Sequence, residues 1–311
     1  MNEGARTTGA ADVLCGASVC AVIVTYNIGE AIHKCFDSIR DQVAHVIIVD
    51  NGSDEPTRQE LNKLASANSA TIVLNEKNEG IARGFNQGVK RAISKGYRWV
   101  LTLDHDSEAT PGMVEKLLRA AQLLYQEGQR DVAVVGTNPF DKNAGAFLEG
   151  FRPDGDSRPV EVEHLISAGS LIRCDLFDKV GFFDEALFMY CVDDDFCLRL
   201  RRAGFKLFLC PRAVLLHKEG SKQKRRFLWR KALYDGYGKQ ARYYMTRNYI
   251  HILRRYHLDG HSYYLVAKKL LKDYVKVVLY DEAPMSQILF GLRGLLDALR
   301  NRYGPFKSEN R

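Results

Sequence analysis

The patterned part of the chain begins with short, uninterrupted apolar runs that alternate with amphipathic segments. The runs AVIVT, HVIIV, TIVL and WVLTL are each long enough for one strand and apolar on both faces, which is typical of strands buried in a parallel sheet. Between them, residues 30–40, 57–67 and 82–95 carry apolar positions at helical spacing. This alternation predicts an α/β fold with a mostly parallel, Rossmann-like sheet and right-handed crossovers.

Polar residues stand at the carboxyl ends of these four predicted strands. They are Thr25, Tyr26 and Asn27 after the first strand, Asp50 after the second, Asn75 after the third, and Asp104, His105 and Asp106 after the fourth. Ligands of open parallel sheets bind beyond the carboxyl ends of the strands. We therefore expect a ligand-binding edge at this rim.

Asp104 and Asp106 are separated by one residue, so their charges repel unless a cation lies between them. Two such carboxylates can both reach Mg²⁺ or Mn²⁺, directly or through a water, and the ion can share its other positions with phosphate oxygens. The tripeptide is also common in acidic loops. Its position after a buried strand favours the metal interpretation.

Three further polar groups at this rim each allow two interpretations. Asp50 can accept a hydrogen bond from a nucleobase N–H, or it can cap a turn in DNGSD. Tyr26 can cover a base or pack in the core. Asn78, Gly80 and Arg83 open a predicted helix and can meet phosphate, or form a turn and N-cap.

Three consecutive acids, Asp193, Asp194 and Asp195, begin another predicted helix. Acids in a first turn favour the helix dipole, but one of them can also act as a general base on a hydroxyl acceptor. His217 ends the apolar run AVLLH, where it is either structural or a ligand for metal or diphosphate.

Charge divides the chain after residue 217. Residues 218–280 contain 16 lysines and arginines and 4 acidic residues. The rest of the chain contains 29 lysines and arginines and 34 acidic residues, and the net charge of the whole chain is +7. We predict a flexible lead-in at 1–17, a nucleotide-binding catalytic domain at 18–217 and a basic, mainly helical region at 218–311. Within the last, residues 266–279 form an amphipathic helix with a lysine side, which either lies on an anionic membrane or packs against the catalytic domain or a partner subunit.

Several protein classes do not fit the sequence. With 46% hydrophobic and 27% charged residues the chain is ordinarily globular. We find no signal-peptide pattern, no run of about 18 apolar residues and no nucleic-acid-binding motif. Seven cysteines without paired spacing indicate reduced thiols and a cytoplasmic protein.

Taken in order, these segments resemble the inverting glycosyltransferases of family 2, which have the GT-A fold. The resemblance covers residues 19–221 through AVIVTYN, VDNGSD, NEGIARGFNQG, LDHDS, SAGSLIR, VDDDFCLRLRRAGFKL and LLHKEGS. The later segment YYMTRNYIHILRRY is similar to one in bacterial rhamnosyltransferases that build polysaccharides and O-antigens.

The resemblance implies a role for each matching residue. It implies that the nucleotide and the donor are bound by Thr25, Tyr26, Asn27, Asp50, Asn78, Gly80, Arg83, Asp104 and His105. The metal ligands would be Asp104, Asp106 and His217, and the general base would be Asp193, with Asp194 as the alternative. Arg247 would bind the acceptor or the diphosphate. Two positions depart from the pattern. Val192 stands where the family usually has Glu, and His105 where rhamnosyltransferases often have Gln.

The resemblance also implies the activity and the partners. It predicts an inverting enzyme dependent on Mg²⁺ or Mn²⁺ that moves L-rhamnose from dTDP-rhamnose to a saccharide or a polyprenyl-diphosphate-linked saccharide. It would work as a peripheral protein, and as a possible homo-oligomer, on the inner face of the cell membrane. The alternatives are a UDP-hexose-dependent enzyme of the same fold and a non-catalytic nucleotide-sugar-binding protein. A nucleotidyltransferase is disfavoured, because TYNIGEAIHKC lacks a Gly-rich basic loop.

Overall fold

The computed structural model describes residues 18–67, 70–153, 158–218, 222–227, 230–257 and 260–307. The chain divides into two compact units. The sheet unit comprises residues up to 79, 84–182 and 196–217, and the helical unit comprises 80–83, 183–195 and the chain from 218 onward. The lead-in predicted at 1–17 lies outside the described residues, and the domain boundary predicted after residue 217 stays a prediction.

Among the residues that the structure describes, the sheet unit contains a ten-stranded sheet and all or most of six α-helices. Its strands are β1 Val19–Thr25, β2 His45–Asp50, β3 Thr71–Leu74, β4 Trp99–Asp104, β5 Glu108–Ala109, β6 Val132–Asp141, β7 Ala146–Phe147, β8 Val160–Val162, β9 Ser170–Arg173 and β10 Lys206–His217. Its helices are α1 Ile32–Ile39, α2 Glu55–Ser66, α3 Ile81–Ser94, α4 Met113–Gln126, α5 Leu176–Val180 and α6 Val192–Arg202; the first residues of α3 and α6 belong to the helical unit.

The sheet is mixed, and its order explains where polar groups meet. The order is β3-β2-β1-β4-β9-β6-β10-β5, with β7 beside β6 and β8 beside β10. The pairs among β1 to β4 are parallel as predicted, whereas β9 runs antiparallel to both β4 and β6. The α/β fold class is confirmed. The antiparallel direction of β9 could not be predicted, because the apolar pattern of SLIR does not indicate whether a strand runs parallel or antiparallel to its neighbours.

The core of the sheet unit follows directly from the apolar runs. All seven residues of β1 are buried, and the apolar faces of α1 and α4 cover the sheet. Helix α3 lies especially close to β1, because a Cβ at Gly88 would stand 2.2 Å from a methyl group of Val22. The glycines of NEGIARGFNQG therefore include one that permits close packing of a helix on a strand.

The helical unit holds the basic region. It contains a hairpin of β11 Lys222–Phe227 and β12 Arg230–Asp235, followed by α7 Lys239–Arg255, α8 Gly260–Tyr280 and α9 Pro284–Leu299. The hairpin was not predicted. Helices α7 and α9 pack at close range, since a Cβ at Gly294 would stand 2.3 Å from the carbonyl oxygen of Tyr243. Within the described ranges, none of the helices has both the length and the apolar character that crossing a membrane requires.

Candidate active site

The structure brings Asp104, Asp106 and His217 together in the sheet unit. Ligand atoms from the three side chains all lie within 4.8 Å of one another. Strand pairing is the cause: β5 runs antiparallel to β10 with Glu108 opposite Leu216, so the end of β10 lies beside the turn that follows β4. Residues more than 100 positions apart in the sequence thus meet at one sheet edge.

The donor set of this cluster suits a hard divalent cation. Two carboxylates and one imidazole match the ligands that Mg²⁺ or Mn²⁺ accepts while keeping positions for water or phosphate. The Nδ1 atom of His217 lies 3.7 Å from a carboxylate oxygen of Asp106 and 3.2 Å from the hydroxyl oxygen of Ser107. Ser107 was missed in the sequence. It orients His217 from the opposite strand, and only the pairing of β5 with β10 reveals it.

His105 links two strand ends instead of joining the cluster. Its Nδ1 accepts a hydrogen bond from the backbone N–H of Tyr26 at 3.2 Å. Burial lowers the pKa of His105, with Asp106 opposing and His217 adding to the shift. A neutral ring is consistent with Nδ1 acting as acceptor. The imidazole therefore holds the loop after β1 against the loop after β4.

Asp50 is completely buried at the end of β2. Both of its carboxylate oxygens accept from the backbone N–H of Ser53, at 3.3 and 3.2 Å, and Arg58 lies 3.9 Å away. The turn-cap interpretation thus applies to Asp50, and Asp54 separately caps α2 through Thr57. Binding of a nucleobase by Asp50 stays a prediction. Arg58, which neutralises it, was not singled out in the sequence.

Hydrogen bonds tie the loops after β1 and β2 together. Asn27, at a left-handed φ of 50°, accepts from the backbone of Asp54 at 2.8 Å, and its own N–H donates to Ser53 at 2.9 Å. Tyr26 is 43% exposed, so its ring is available to a ligand. The hydroxyl of Thr25 is buried without a hydrogen-bond partner among the described residues. Their predicted role in nucleotide binding stays a prediction.

A network of amide side chains continues this edge toward α3. Asn51 donates to Asn78 at 3.2 Å, Asn75 donates to Asn51 at 3.2 Å, and Asn75 and Gln87 exchange two bonds at 2.8 and 2.9 Å. Asn78, predicted as a donor ligand, is therefore also a structural member of the network. Asn75 was already placed at this rim by the sequence, whereas Gln87 was not singled out, because amides carry no distinctive spacing.

Two of the predicted phosphate ligands belong to the helical unit. Gly80 has a φ of 89°, and a Cβ there would lie 2.5 Å from the carbonyl oxygen of Phe188. Arg83 lies 3.9 Å from a carboxylate oxygen of Glu185. Gly80 is thus required for a close backbone approach, and Arg83 already has an acidic neighbour. A phosphate role for either stays a prediction.

The three acids at the start of α6 differ in their surroundings. Asp195 is completely buried and accepts a hydrogen bond from the hydroxyl of Tyr256, the residue that follows α7. Asp193 and Asp194 are only partly buried. Asp195 is thus a structural acid, whereas Asp193 and Asp194 both keep the access that a general base needs. Which of the two is the base stays open.

The environment of Arg247 speaks against its predicted role as an acceptor or diphosphate ligand. Its side chain is fully buried in α7. The guanidinium donates to the backbone oxygens of Gly304 at 2.7 Å and Leu187 at 2.9 Å, and to the side chain of Asn248 at 2.9 Å. The segment YYMTRNYIHILRRY made Arg247 look like a surface cation; its burial depends on packing that no local pattern reveals.

Helices α8 and α9 expose many large apolar side chains. On α8 they are Tyr264, Leu265, Leu271, Val275, Val278 and Leu279, and on α9 they are Met285, Leu289, Leu292, Leu296 and Leu299; the eleven are from 37% to 66% exposed. The α9 residues follow steps of four and three, which places them along one side of the helix. We call these eleven residues the apolar face. Lys268, Lys269 and Lys272 are exposed on α8.

Comparisons with known proteins agree with this architecture. A sequence model of the family described as Glycosyl transferase family 2 matches residues 20–181, about half of the chain. The dTDP-rhamnosyl transferase RfbF of Shigella flexneri is 24% identical over 254 residues, covering 78% of this chain and 82% of that protein. Galactofuranosyltransferase GlfT1 of Mycobacterium tuberculosis is 28% identical over 251 residues, covering 75% and 82%.

Solved structures show the same GT-A fold at low sequence identity. Mannosyltransferase PcManGT from Pyrobaculum calidifontis, in complex with GDP-Man and Mn²⁺, has a TM-score of 0.56 at 14% identity and covers 92% of this chain and 88% of that chain. GalNAc-T7 with UDP, GalNAc and Mn²⁺ has a TM-score of 0.57 at 14% identity over 76% of this chain, which spans 47% of that longer chain.

Proposed function

This chain belongs to glycosyl transferase family 2, and we propose that it is a metal-dependent, inverting enzyme that transfers L-rhamnose from dTDP-rhamnose to a hydroxyl group. The observation that carries the proposal is the cluster of Asp104, Asp106 and His217 at the carboxyl edge of a GT-A sheet. The choice of rhamnose is supported by the dTDP-rhamnosyl transferase relative from Shigella flexneri.

In the proposed reaction the metal ligands and the base have separate tasks. Asp104, Asp106 and His217 would hold Mg²⁺ or Mn²⁺, which when bound neutralises the charge that develops on the departing diphosphate. Asp193 would take the proton from the acceptor hydroxyl as it attacks the anomeric carbon from the face opposite the leaving group. One displacement then inverts the configuration, without the covalent glycosyl-enzyme of a retaining glycosidase.

The donor can be identified by measuring binding and turnover with a panel of nucleotide sugars. With Mn²⁺ present, dTDP-rhamnose should raise the melting temperature more than UDP-hexoses do, and only the true donor should release nucleoside diphosphate when an acceptor is added. An Asp106→Ala protein run in parallel identifies stabilisation that does not depend on the metal cluster. Stabilisation and turnover by a UDP-hexose alone would contradict the rhamnose assignment.

A UDP-hexose donor is the second candidate, and it has support of its own. The galactofuranosyltransferase relatives are slightly more identical to this chain than the rhamnosyl transferase is, at 28% against 24%. His105 stands where rhamnosyltransferases often have Gln. A non-catalytic nucleotide-sugar-binding protein would bind a donor in the same panel but release no nucleoside diphosphate.

We further propose that the acceptor is a saccharide carried on a membrane lipid, in bacterial cell-surface polysaccharide synthesis. The support is the apolar face of α8 and α9 together with its neighbouring lysines. The two helices expose eleven large apolar side chains, and large exposed apolar patches mark sites of interaction with proteins or membranes. Cations beside an anionic bilayer contribute about 1 kcal/mol each. Such an enzyme would act as a peripheral protein on the inner face of the cell membrane.

A further inference from the structure

The loop immediately before α6 has an unusually strained backbone. Phe188 has φ 66° and ψ −63°, and the N–H of Met189 bonds to the carbonyl of Leu187 at 2.8 Å, which together form the rare, strained form of γ-turn. Tyr190 and Cys191 follow with φ of 60° and 59°. Bulky residues in such conformations cost about 1–3 kcal/mol each. We call residues 186–191 the strained loop.

Asn248 on α7 holds the strained loop by its carbonyl oxygens. Its side-chain nitrogen donates to Leu187 at 3.0 Å, Met189 at 2.8 Å and Tyr190 at 2.8 Å. The residue is completely buried. The two N–H groups of this one amide are shared among three carbonyls of the strained loop, and they stabilise a conformation that these residues would not adopt alone.

Arg247 fixes the orientation of that amide. Its Nε donates to the Asn248 side-chain oxygen at 2.9 Å, so the nitrogen of Asn248 must face the loop. A second arm of the guanidinium donates to Ala186 at 3.3 Å and Leu187 at 2.9 Å. The rings of Tyr243 and Tyr244 lie 5.3 and 5.0 Å from the guanidinium carbon, which favours a buried cation.

The strained loop leads directly into the acids of α6, with only Val192, 1% exposed, before Asp193. We infer that Arg247 and Asn248 are positioning residues, which hold the strained loop so that Asp193 is aimed at the acceptor hydroxyl. This inference rests on the proposed role of Asp193 as the base. Strain of this kind persists where surrounding contacts over-determine the backbone, and here five side-chain donor contacts do so.

A purely structural role predicts something different. In that case the loss of Asn248 would lower stability and leave the chemistry of the folded protein unchanged. A positioning role predicts a lower kcat in protein that is still folded and still binds the donor, because misplacing a catalytic group by about 1 Å can cost 10²-fold.

The test is the kinetics of Asn248→Ala and of the milder Arg247→Lys, each measured below its own melting temperature. We expect kcat to fall about 100-fold for Asn248→Ala, with the KM for the donor unchanged. Arg247→Lys keeps the charge but loses the planar fork, so a smaller loss of the same kind is expected. If Asn248→Ala does not fold, the test rests on Arg247→Lys, for which a lower kcat with an unchanged KM for the donor would support the positioning role.

Thr246→Val is the matched control on the same helix. It removes the hydrogen bond, 2.9 Å long, between the hydroxyls of Thr246 and Tyr274 and keeps the shape of the side chain. It should lower stability and leave kcat unchanged. Loss of kcat in Thr246→Val comparable to that in Asn248→Ala would overturn the positioning role, as would unchanged kcat in both Asn248→Ala and Arg247→Lys.

A double-mutant cycle separates this inference from the assignment of the base. If Asn248 acts through Asp193, then adding Asn248→Ala to Asp193→Asn should lower kcat no further. A second, independent 100-fold loss in the double variant would overturn the inference. Normal turnover in Asp193→Asn alone would instead refute the proposed base, and the effect of Asn248→Ala would then be referred to Asp194 by the same cycle.

Discussion

The sheet unit buries all seven residues of β1 and gathers its polar side chains at strand ends, whereas the helical unit buries Arg247 and Asn248 completely and leaves leucines of α9 about half exposed. In the first, apolar burial stabilises the fold and polar side chains gather at the carboxyl ends of the strands. In the second, buried polar groups hold a strained backbone, and apolar groups are left on the surface. The sheet unit is therefore the one suited to binding a metal and a donor, and the helical unit the one suited to positioning a side chain or contacting a membrane.

The comparison indicates that metal and donor binding depend on the sheet unit, whereas the placement of the proposed base depends on the helical unit. The metal cluster of the sheet unit is assembled by strand pairing, which is rigid and needs no special backbone conformation. The predicted base, Asp193, follows three non-glycine residues with positive φ. Variants in the sheet unit should therefore act on metal and donor binding, and variants in the helical unit on the rate of the chemical step.

The largest effect is expected for Asp106→Ala, which removes one carboxylate from the metal cluster. Transfer should fall about 10³-fold, since a divalent ion contributes several kcal/mol to stabilising charge in the transition state. A titration with Mn²⁺ should no longer restore activity. Asp37→Ala, which removes an exposed acid of α1, is the control and should keep the normal titration. An unchanged titration in Asp106→Ala would contradict the metal assignment.

The next effect is expected at the start of α6. Asp193→Asn should lower kcat by about 10²–10⁴-fold and leave nucleotide binding intact, because a general base contributes that much. Asp194→Asn should have a much smaller effect on kcat. Initial rates and donor affinity for the two variants decide between them, and a larger loss in Asp194→Asn would transfer the role of base to Asp194.

The stability of the helical unit should depend strongly on Arg247. Arg247→Met keeps an apolar stem but removes the guanidinium donor from the carbonyl of Gly304 and one of the donors to the carbonyl of Leu187. The free energy of unfolding should therefore fall by about 3 kcal/mol. Urea unfolding measures the change. Arg254→Met removes an exposed arginine of the same helix and should cost about 1 kcal/mol or less. Equal losses in the two variants would contradict the structural role of Arg247.

The sequence predicted features of the sheet unit better than features of the helical unit. The runs ending at Thr25, Asp50 and Asp104 were assigned to the correct strands, because a buried strand needs continuous apolar residues. His217 could be suggested as a ligand from its place at the end of the run AVLLH. Ser107 could not, since its contact with His217 depends on the register between β5 and β10. The burial of Arg247 was not foreseen for a related reason: hydrogen bonds to backbone carbonyls leave no pattern in the sequence. Its role as an acceptor or diphosphate ligand stays a prediction.

The smallest effect on folding is expected on the apolar face, and it tests what that surface is for. Leu289→Ser with Leu296→Ser replaces two side chains that are 58% and 48% exposed, so each should change unfolding by about 0.5 kcal/mol or less. Binding to vesicles that contain anionic lipid should nevertheless weaken, by about 1 kcal/mol per leucine withdrawn from the bilayer. Leu123→Ser, at a 37% exposed position of α4, is the control. Unchanged co-sedimentation of the double variant would refute a membrane role for the apolar face, and a loss of self-association instead would assign the face to contacts between copies of the chain.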